Sequence, residues 1–179
     1  QRMRQLIEDL LTFSRTSNNG EQLFEYVDLT QVLVRVKEQL SDQIEKKEAV
    51  IMYDLLPVLS AIPYQIEQLF MNLLNNALKF SRKGVKPLIK VKMEDNVYTL
   101  VGGLPYHKIT IADNGIGFDP QFSERIFQMF QRLHVRNQFE GTGIGLAICK
   151  KIMDNHKGMI TAEGFPDEGS VFTLLFPIA

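Results

Sequence analysis

The chain has 179 residues, 45 % of them hydrophobic and 23 % charged, with a net charge of −1. That length suits one domain with an appendage, and the composition excludes a disordered or collagen-like chain. The near-zero charge gives no electrostatic footprint for a nucleic-acid or bulk membrane partner. The single cysteine, Cys149, excludes an internal disulfide and fits a reducing, cytoplasmic setting, with the thiol buried on an apolar helix. No apolar run approaches the ~18 residues of a membrane span, so no direct membrane contact is expected from this stretch. An opening Gln1 leads us to expect a longer parent chain, with any anchor or sensor elsewhere.

Met3, Leu6, Ile7, Leu10 and Leu11 recur at helical spacing, which predicts an amphipathic helix over 1–17. Such a helix has little to pack on in a compact domain, so its apolar stripe points to a helical hairpin or bundle. Docking on its own domain is the alternative. Residues 1–19 therefore read as the end of that hairpin with a hinge near Thr16 or Ser17, and 20–179 as the main domain. A short strand is expected over 23–29. Asp28 or Thr30 then caps a helix running to Lys46 with Leu29, Leu33, Val36, Leu40 and Ile44 on one face. Strands follow over 49–55 and 58–61. Pro63 stands at the first turn of a helix over 63–80, which ends at Ser81-Arg82-Lys83-Gly84. Residues 88–94 alternate as a strand, and 107–112 form another carrying Asp113 at its tip. A short helical piece is expected within 122–133, a helix over 143–155, and a closing hairpin of strands over 159–163 and 170–176. The fold class is α+β, a two-layer sandwich of a mixed sheet with about three helices on one face.

Asn72, Asn76 and Lys79 fall at i, i+4 and i+7, on one face of the third helix. An amide oxygen suits a hard cation such as Mg²⁺, which takes few protein ligands and keeps water and phosphate oxygens. A solvated polar face is the plainer alternative. Asp113 can accept from the exocyclic amine of a purine, with Gly115 and Gly117 letting the base sit against the backbone; taken alone, it equally suits an Asx turn after a strand. Gly141, Gly143 and Gly145 open a helix, where free N–H groups receive phosphate. The spacing fits neither a dinucleotide fingerprint nor a P-loop.

Taken together, Asn72-Leu73-Leu74-Asn75-Asn76-Ala77-Leu78-Lys79-Phe80 resembles the N box of sensor histidine kinases. Asp113-Asn114-Gly115-Ile116-Gly117 resembles their G1 box, Phe127-Gln128-Met129-Phe130 the F box, and Gly141-Thr142-Gly143-Ile144-Gly145-Leu146 the G2 box. Gly169-Ser170-Val171-Phe172 is similar to the family's last strand. Order and spacing match over residues 22–178, and the N-terminal helix resembles the second helix of the family's dimerisation hairpin.

The resemblance implies the ATP-binding sandwich shared with type II topoisomerases, mismatch-repair ATPases and a heat-shock chaperone, with ATP and Mg²⁺ as ligands. It implies that Asn76 supplies Mg²⁺ and that Asp113 reads the adenine amine, with Ser170 beside it. Lys79 and Phe80 line the nucleotide, Phe127 and Phe130 anchor a mobile lid, and the backbone over 141–145 holds phosphates. Arg132 matches a lid arginine that approaches the γ-phosphate; Arg136 is a poorer candidate. Asn72 faces the phosphate end. Related ATPases carry a glutamate there as general base for water, and an amide cannot take that proton at neutral pH. Hydrolysis should then be slow, with the γ-phosphate passed to a histidine on the dimerisation hairpin. A response-regulator receiver domain acts downstream in this family.

That acceptor is not among the three histidines: His107 begins a strand, His134 lies in the lid, and His156 ends a helix. Where the family often has Asp before the N-box helix, this chain has Ala61-Ile62-Pro63, read as a changed cap. A regulator that binds nucleotide without transfer, and an ATP hydrolase with a dimer clamp, are the alternative functions.

Overall fold

The computed structural model describes residues 2–17, 23–94, 105–131 and 141–178. A five-stranded sheet in the order β2-β4-β5-β7-β6 is built from β2 (Val50–Tyr53), β4 (Leu88–Met93), β5 (Tyr106–Asp113), β6 (Met159–Phe165) and β7 (Gly169–Pro177). β2 runs parallel to β4, and the other neighbours are antiparallel. A second, two-stranded sheet pairs β1 (Glu25–Asp28) with β3 (Val58–Ala61).

Alternation decides which face is covered. Ile89, Val91, Ile109, Ile111, Phe172, Leu174 and Phe176 point inward and are almost fully buried. They meet the apolar stripes of α2 (Leu29–Gln39), α4 (Pro63–Lys79) and α5 (Gly145–Asn155) in one continuous core. The expected arrangement, a mixed sheet with about three helices on one face, is the one observed.

Local signals account for most boundaries. Asp28 caps α2, its Oδ1 accepting from the Thr30 and Gln31 amides at 2.8 and 3.2 Å. Pro63 occupies the first turn of α4, and no side chain caps that helix at Ile62. The missing cap is replaced from elsewhere in the chain. His156 Nε2 accepts from the Ile62 amide at 3.0 Å, while its Nδ1 lies 2.7 Å from the Ile152 carbonyl. The ring is therefore neutral, with the proton on Nδ1, and burial holds its pKa below the ordinary value.

Three expectations are corrected. The single helix to Lys46 is two, α2 and α3 (Ser41–Lys46), because the backbone leaves helical angles at Leu40. Beyond that bend Lys47 Nζ reaches the Leu78 carbonyl at 2.6 Å and Ser81 Oγ at 2.9 Å, capping the end of α4. Over the described part of the helical piece expected around 122–133, the chain instead forms two 3-10 turns, Pro120–Phe122 and Arg125–Phe127, followed by Phe130 at φ +64°; residues 132 and 133 lie outside the described residues. Finally, α1 (Arg2–Ser17) does have something to pack on: it lies along α5. Its apolar arc is wide enough for two uses. Leu6 and Phe13 pack against the core, whereas Met3, Ile7 and Leu11 remain more than half exposed. The exposed part keeps the expectation of a hairpin open; the buried part is the docking alternative.

Candidate nucleotide site

The three segments singled out in the sequence meet at one end of the sheet. Asn72, on α4, donates from Nδ2 to the carbonyl of Gly145, the first residue of α5, at 3.1 Å, and its Oδ1 accepts from Gln68 Nε2 at 3.0 Å. It also hydrogen-bonds the Cys149 thiol, whose pKa burial pushes up to about 12. Cys149 is thus the inert, buried thiol expected. Two turns further along α4, Lys79 Nζ lies over the Phe80 ring at 4.5 Å and against Gly141, where a Cβ would fall 2.4 Å from it. The Phe80 carbonyl, in turn, accepts from the Ile116 amide at 2.9 Å. One helix therefore touches both glycine clusters.

Asp113 ends β5 opposite Ser170 of β7. Its Oδ2 accepts from Ser170 Oγ at 2.5 Å and its Oδ1 from the Gly115 amide at 2.8 Å, so the Asx turn is present. Burial raises the pKa of this carboxyl, and the Ser170 and Gly115 hydrogen bonds pull it back. The Ser170 backbone N–H also donates to the carboxylate, so three of its about four acceptor sites are used and one is left for another donor. Asn114 turns the other way and clamps the backbone, accepting from the Leu88 amide at 2.8 Å and donating to the Lys86 carbonyl at 3.1 Å.

The glycines of the first cluster serve the fold more directly than expected. At Gly117, φ is +61°, and a Cβ would fall 2.0 Å from the Phe165 carbonyl oxygen and 2.6 Å from that of Gly169. The space that glycine frees is taken by the β6–β7 turn, not left for a base. At Gly115 the same space faces the Phe80 carbonyl, at 2.5 Å.

In the second cluster Gly143 adopts φ +76°, and its carbonyl accepts from the Phe130 amide at 2.9 Å. The F box thus joins the G2 box through backbone. The Phe127 ring lies edge-on to Phe172 at 6.5 Å, while the Phe130 ring is 57 % exposed. Ile144 is fully buried and can offer a ligand only its backbone; Leu146 is half-buried against the core. Helix α5 starts at Gly145 with no side-chain cap, so the amides of its first turn have no intrahelical acceptor. Helix dipole and open amides together suit an anion there.

Asn76 is half-buried on the Asn72–Lys79 face, and among the described residues no hydrogen bond engages its side-chain amide. Among the described residues no group of three or more His, Cys, Asp or Glu could hold a metal ion. A divalent cation at Asn76 would need most of its shell from phosphate and water, as suits magnesium. Arg132, Arg136 and His134 lie outside the described residues. His107 is half-buried on β5, its pKa lowered by burial.

Three contributors were missed in the sequence. Arg82 Nε donates to the Asn114 carbonyl and Nη1 to the Asp167 carbonyl, both at 2.8 Å, bracing the turn after Asp113. It had been read only as part of a helix stop. Gln68, one turn before Asn72, orients that amide; its spacing was the available signal. Asp9 on α1 accepts a hydrogen bond from Thr142 Oγ1. Its signal was an acid lying on the same side of the helix as Leu6 and Phe13.

This fold and site define an ATP-binding domain of the histidine-kinase type, and the chain belongs to the histidine kinase-, DNA gyrase B- and HSP90-like ATPase family, whose profile matches residues 61–179. It is 41 % identical over 177 residues to the phytochrome-like protein Cph1 of Synechocystis sp., covering 98 % of this chain and 22 % of that protein. It is 31 % identical over 184 residues to the adaptive-response sensory kinase SasA of Thermosynechococcus vestitus, covering 99 % of this chain and 46 % of that protein. The chain thus spans less than half the length of either relative. Among solved structures, full-length ShkA in complex with AMPPNP superposes with a TM-score of 0.77 at 25 % identity, over 97 % of this chain and 35 % of that one. The catalytic domain of histidine kinase ThkA gives 0.69 at 25 % identity, over 86 % of this chain and 97 % of that one. Among the described residues no helix is long and apolar enough to cross a membrane.

Proposed function

We propose that this chain binds Mg-ATP between α4, the tip of β5 and the start of α5, and presents the γ-phosphate to a histidine on a dimerisation helix. In this reading residues 1–19 belong to the hairpin and its hinge, and 20–179 to the catalytic domain. Asp113, with Ser170 beside it, accepts from the adenine amine. Asn76 contributes a ligand to magnesium, which neutralises phosphate charge when bound. Lys79 and Phe80 flank the nucleotide, and the backbone amides of the Gly141–Leu146 stretch receive phosphate oxygens.

The observation that carries the reading is the Asn72–Gly145 hydrogen bond, taken with Lys79 against Gly141. Both contacts support the reading, because they set the α4 face that carries Asn72, Asn76 and Lys79 against the turn that opens α5, and phosphoryl transfer asks mainly for positioning and charge neutralisation. The amide of Asn72 is not a base, so water is poorly activated and a better nucleophile is required. His156 is not that nucleophile: it is 5 % exposed and both ring nitrogens are engaged. The acceptor is an imidazole nitrogen on the hairpin, which takes the γ-phosphoryl group as ADP leaves. A receiver domain of a response regulator then takes it on, consistent with the fold shared with ThkA, which has been solved in complex with the response regulator TrrA (TM-score 0.74, 22 % identity).

The test is to mix the chain with a hairpin bearing the acceptor histidine and γ-labelled ATP. Label should reach the hairpin histidine, and the chain alone should stay unlabelled. ATP binding without transfer to any such hairpin would overturn the kinase reading, as would several ATP hydrolysed per minute by the chain alone.

A further inference from the structure

Helix α1 is fastened at two points, one on α5 and one on the turn that leads into it. At one, Asn155 Nδ2 donates to the carbonyl of Thr16, itself a buried residue, at 2.8 Å. At the other, Asp9 Oδ2 accepts from Thr142 Oγ1, while Asp9 Oδ1 accepts from Gln5 Nε2 at 2.9 Å. Leu6 and Phe13 fill the space between. The second fastening is unlike the first in its chemistry. Thr142 belongs to the turn that leads into α5, beside the uncapped first-turn amides. Asp9 therefore brings a carboxylate to a place whose helix dipole and backbone donors suit an anion.

We propose that docked α1 is an internal competitor of the nucleotide, with the Asp9 carboxylate holding Thr142 and opposing the arrival of phosphate at the same turn. The proposal rests on the nucleotide reading above and adds its regulation. Two anions at one helix start repel, and the hydroxyl of Thr142 is engaged while α1 is docked. By linkage the effect is reciprocal: whatever pulls α1 off α5 tightens nucleotide binding, and nucleotide loosens α1 to the same degree. A movement of the dimerisation helix would thereby be read directly at the phosphate end of the pocket.

Calorimetric titration with Mg-ATP of the wild-type chain, Asp9→Asn and Asn155→Ala tests this. Asp9→Asn keeps the shape and removes the charge; Asn155→Ala loosens the far fastening without touching the turn. Both should bind ATP more tightly, Asp9→Asn by about fivefold or more, with the difference shrinking at high salt. Saturating Mg-ATP should also speed amide exchange in residues 2–17 of the wild type. Equal or weaker affinity in Asp9→Asn, with the wild type still binding, would overturn this inference alone. So would α1 exchange that ignores saturation. Absence of binding in all three proteins would instead remove the nucleotide reading, and this inference with it.

Discussion

Asn72 and Gly145 are joined by a 3.1 Å hydrogen bond that ties α4 to the first residue of α5, the next helix in the layer. The bond makes Asn72 a strut for the turn that opens α5, the place proposed above for phosphate. Asn72→Ala should cost about 1 kcal/mol in stability and weaken ATP binding several-fold, because Gly145 loses its tether. Denaturant titration and calorimetry on the same samples would check both. Unchanged affinity would mean that the turn holds its shape unaided.

Asp113→Asn should weaken adenine-nucleotide binding about tenfold or more, since a charge-assisted hydrogen bond is worth roughly 1.5–3 kcal/mol. The amide oxygen still suits the Gly115 N–H, so the fold should persist by circular dichroism. Calorimetry with ATP against GTP separates the base contact from phosphate binding: the variant should lose the preference for adenine, not merely affinity.

Asn76→Ala should remove the magnesium dependence of ATP binding while leaving metal-free nucleotide binding close to wild type. Titration with ATP in magnesium and in chelator is the measurement. Magnesium that still tightens binding in the variant places the cation elsewhere.

Gly117→Ala is expected to cost roughly 2–4 kcal/mol, combining left-handed strain with overpacking. The new methyl would sit 2.0 Å from the Phe165 carbonyl oxygen and 2.6 Å from that of Gly169, so backbone must shift to admit it. Urea denaturation monitors the loss, and a variant of wild-type stability would mean that the β6–β7 turn yields.

His156 gives the fold a dependence on pH of predictable sign. Burial lowers its pKa below 6.5, so the unfolded chain binds its proton first. Its stabilisation is present above pH 6.5 and is lost as pH falls through the lower folded value. Protonation would also put a donor on Nε2, facing the Ile62 amide. The half-buried His107 acts in the same direction. Asp113, with its raised pKa, acts oppositely and becomes less costly as pH falls through its folded value. Thermal midpoints of wild type and His156→Gln should therefore stay separated above pH 6.5 and draw together as pH falls below it.

Much of this was legible in the sequence, for stated reasons. Alternation marks β4 and β5 because one face of the sheet is buried, and the spacing of Asn72, Asn76 and Lys79 fixes a common helix face. The bend at Leu40 was not legible, because no Gly or Pro marks it and the apolar spacing continues through it. Residues 122–133 misled for a related reason. Phe122, Ile126 and Phe130 are spaced as on a helix, yet Phe130 is held by a backbone bond to Gly143 and its ring is exposed. The role of α1 was half legible. A broad apolar arc announces burial, but periodicity does not say how many surfaces share it. The glycines of the first cluster were read for a ligand, and the tightest of them is required by a neighbouring strand turn. No local pattern reports a neighbour 48 residues away in the chain, which is the separation of Gly117 and Phe165.

The backbone bond from Phe130 to Gly143 couples the residues after the second 3-10 turn to the turn that opens α5. A shift at either end is therefore handed to the other, so Phe130 cannot move without tugging the turn that opens α5.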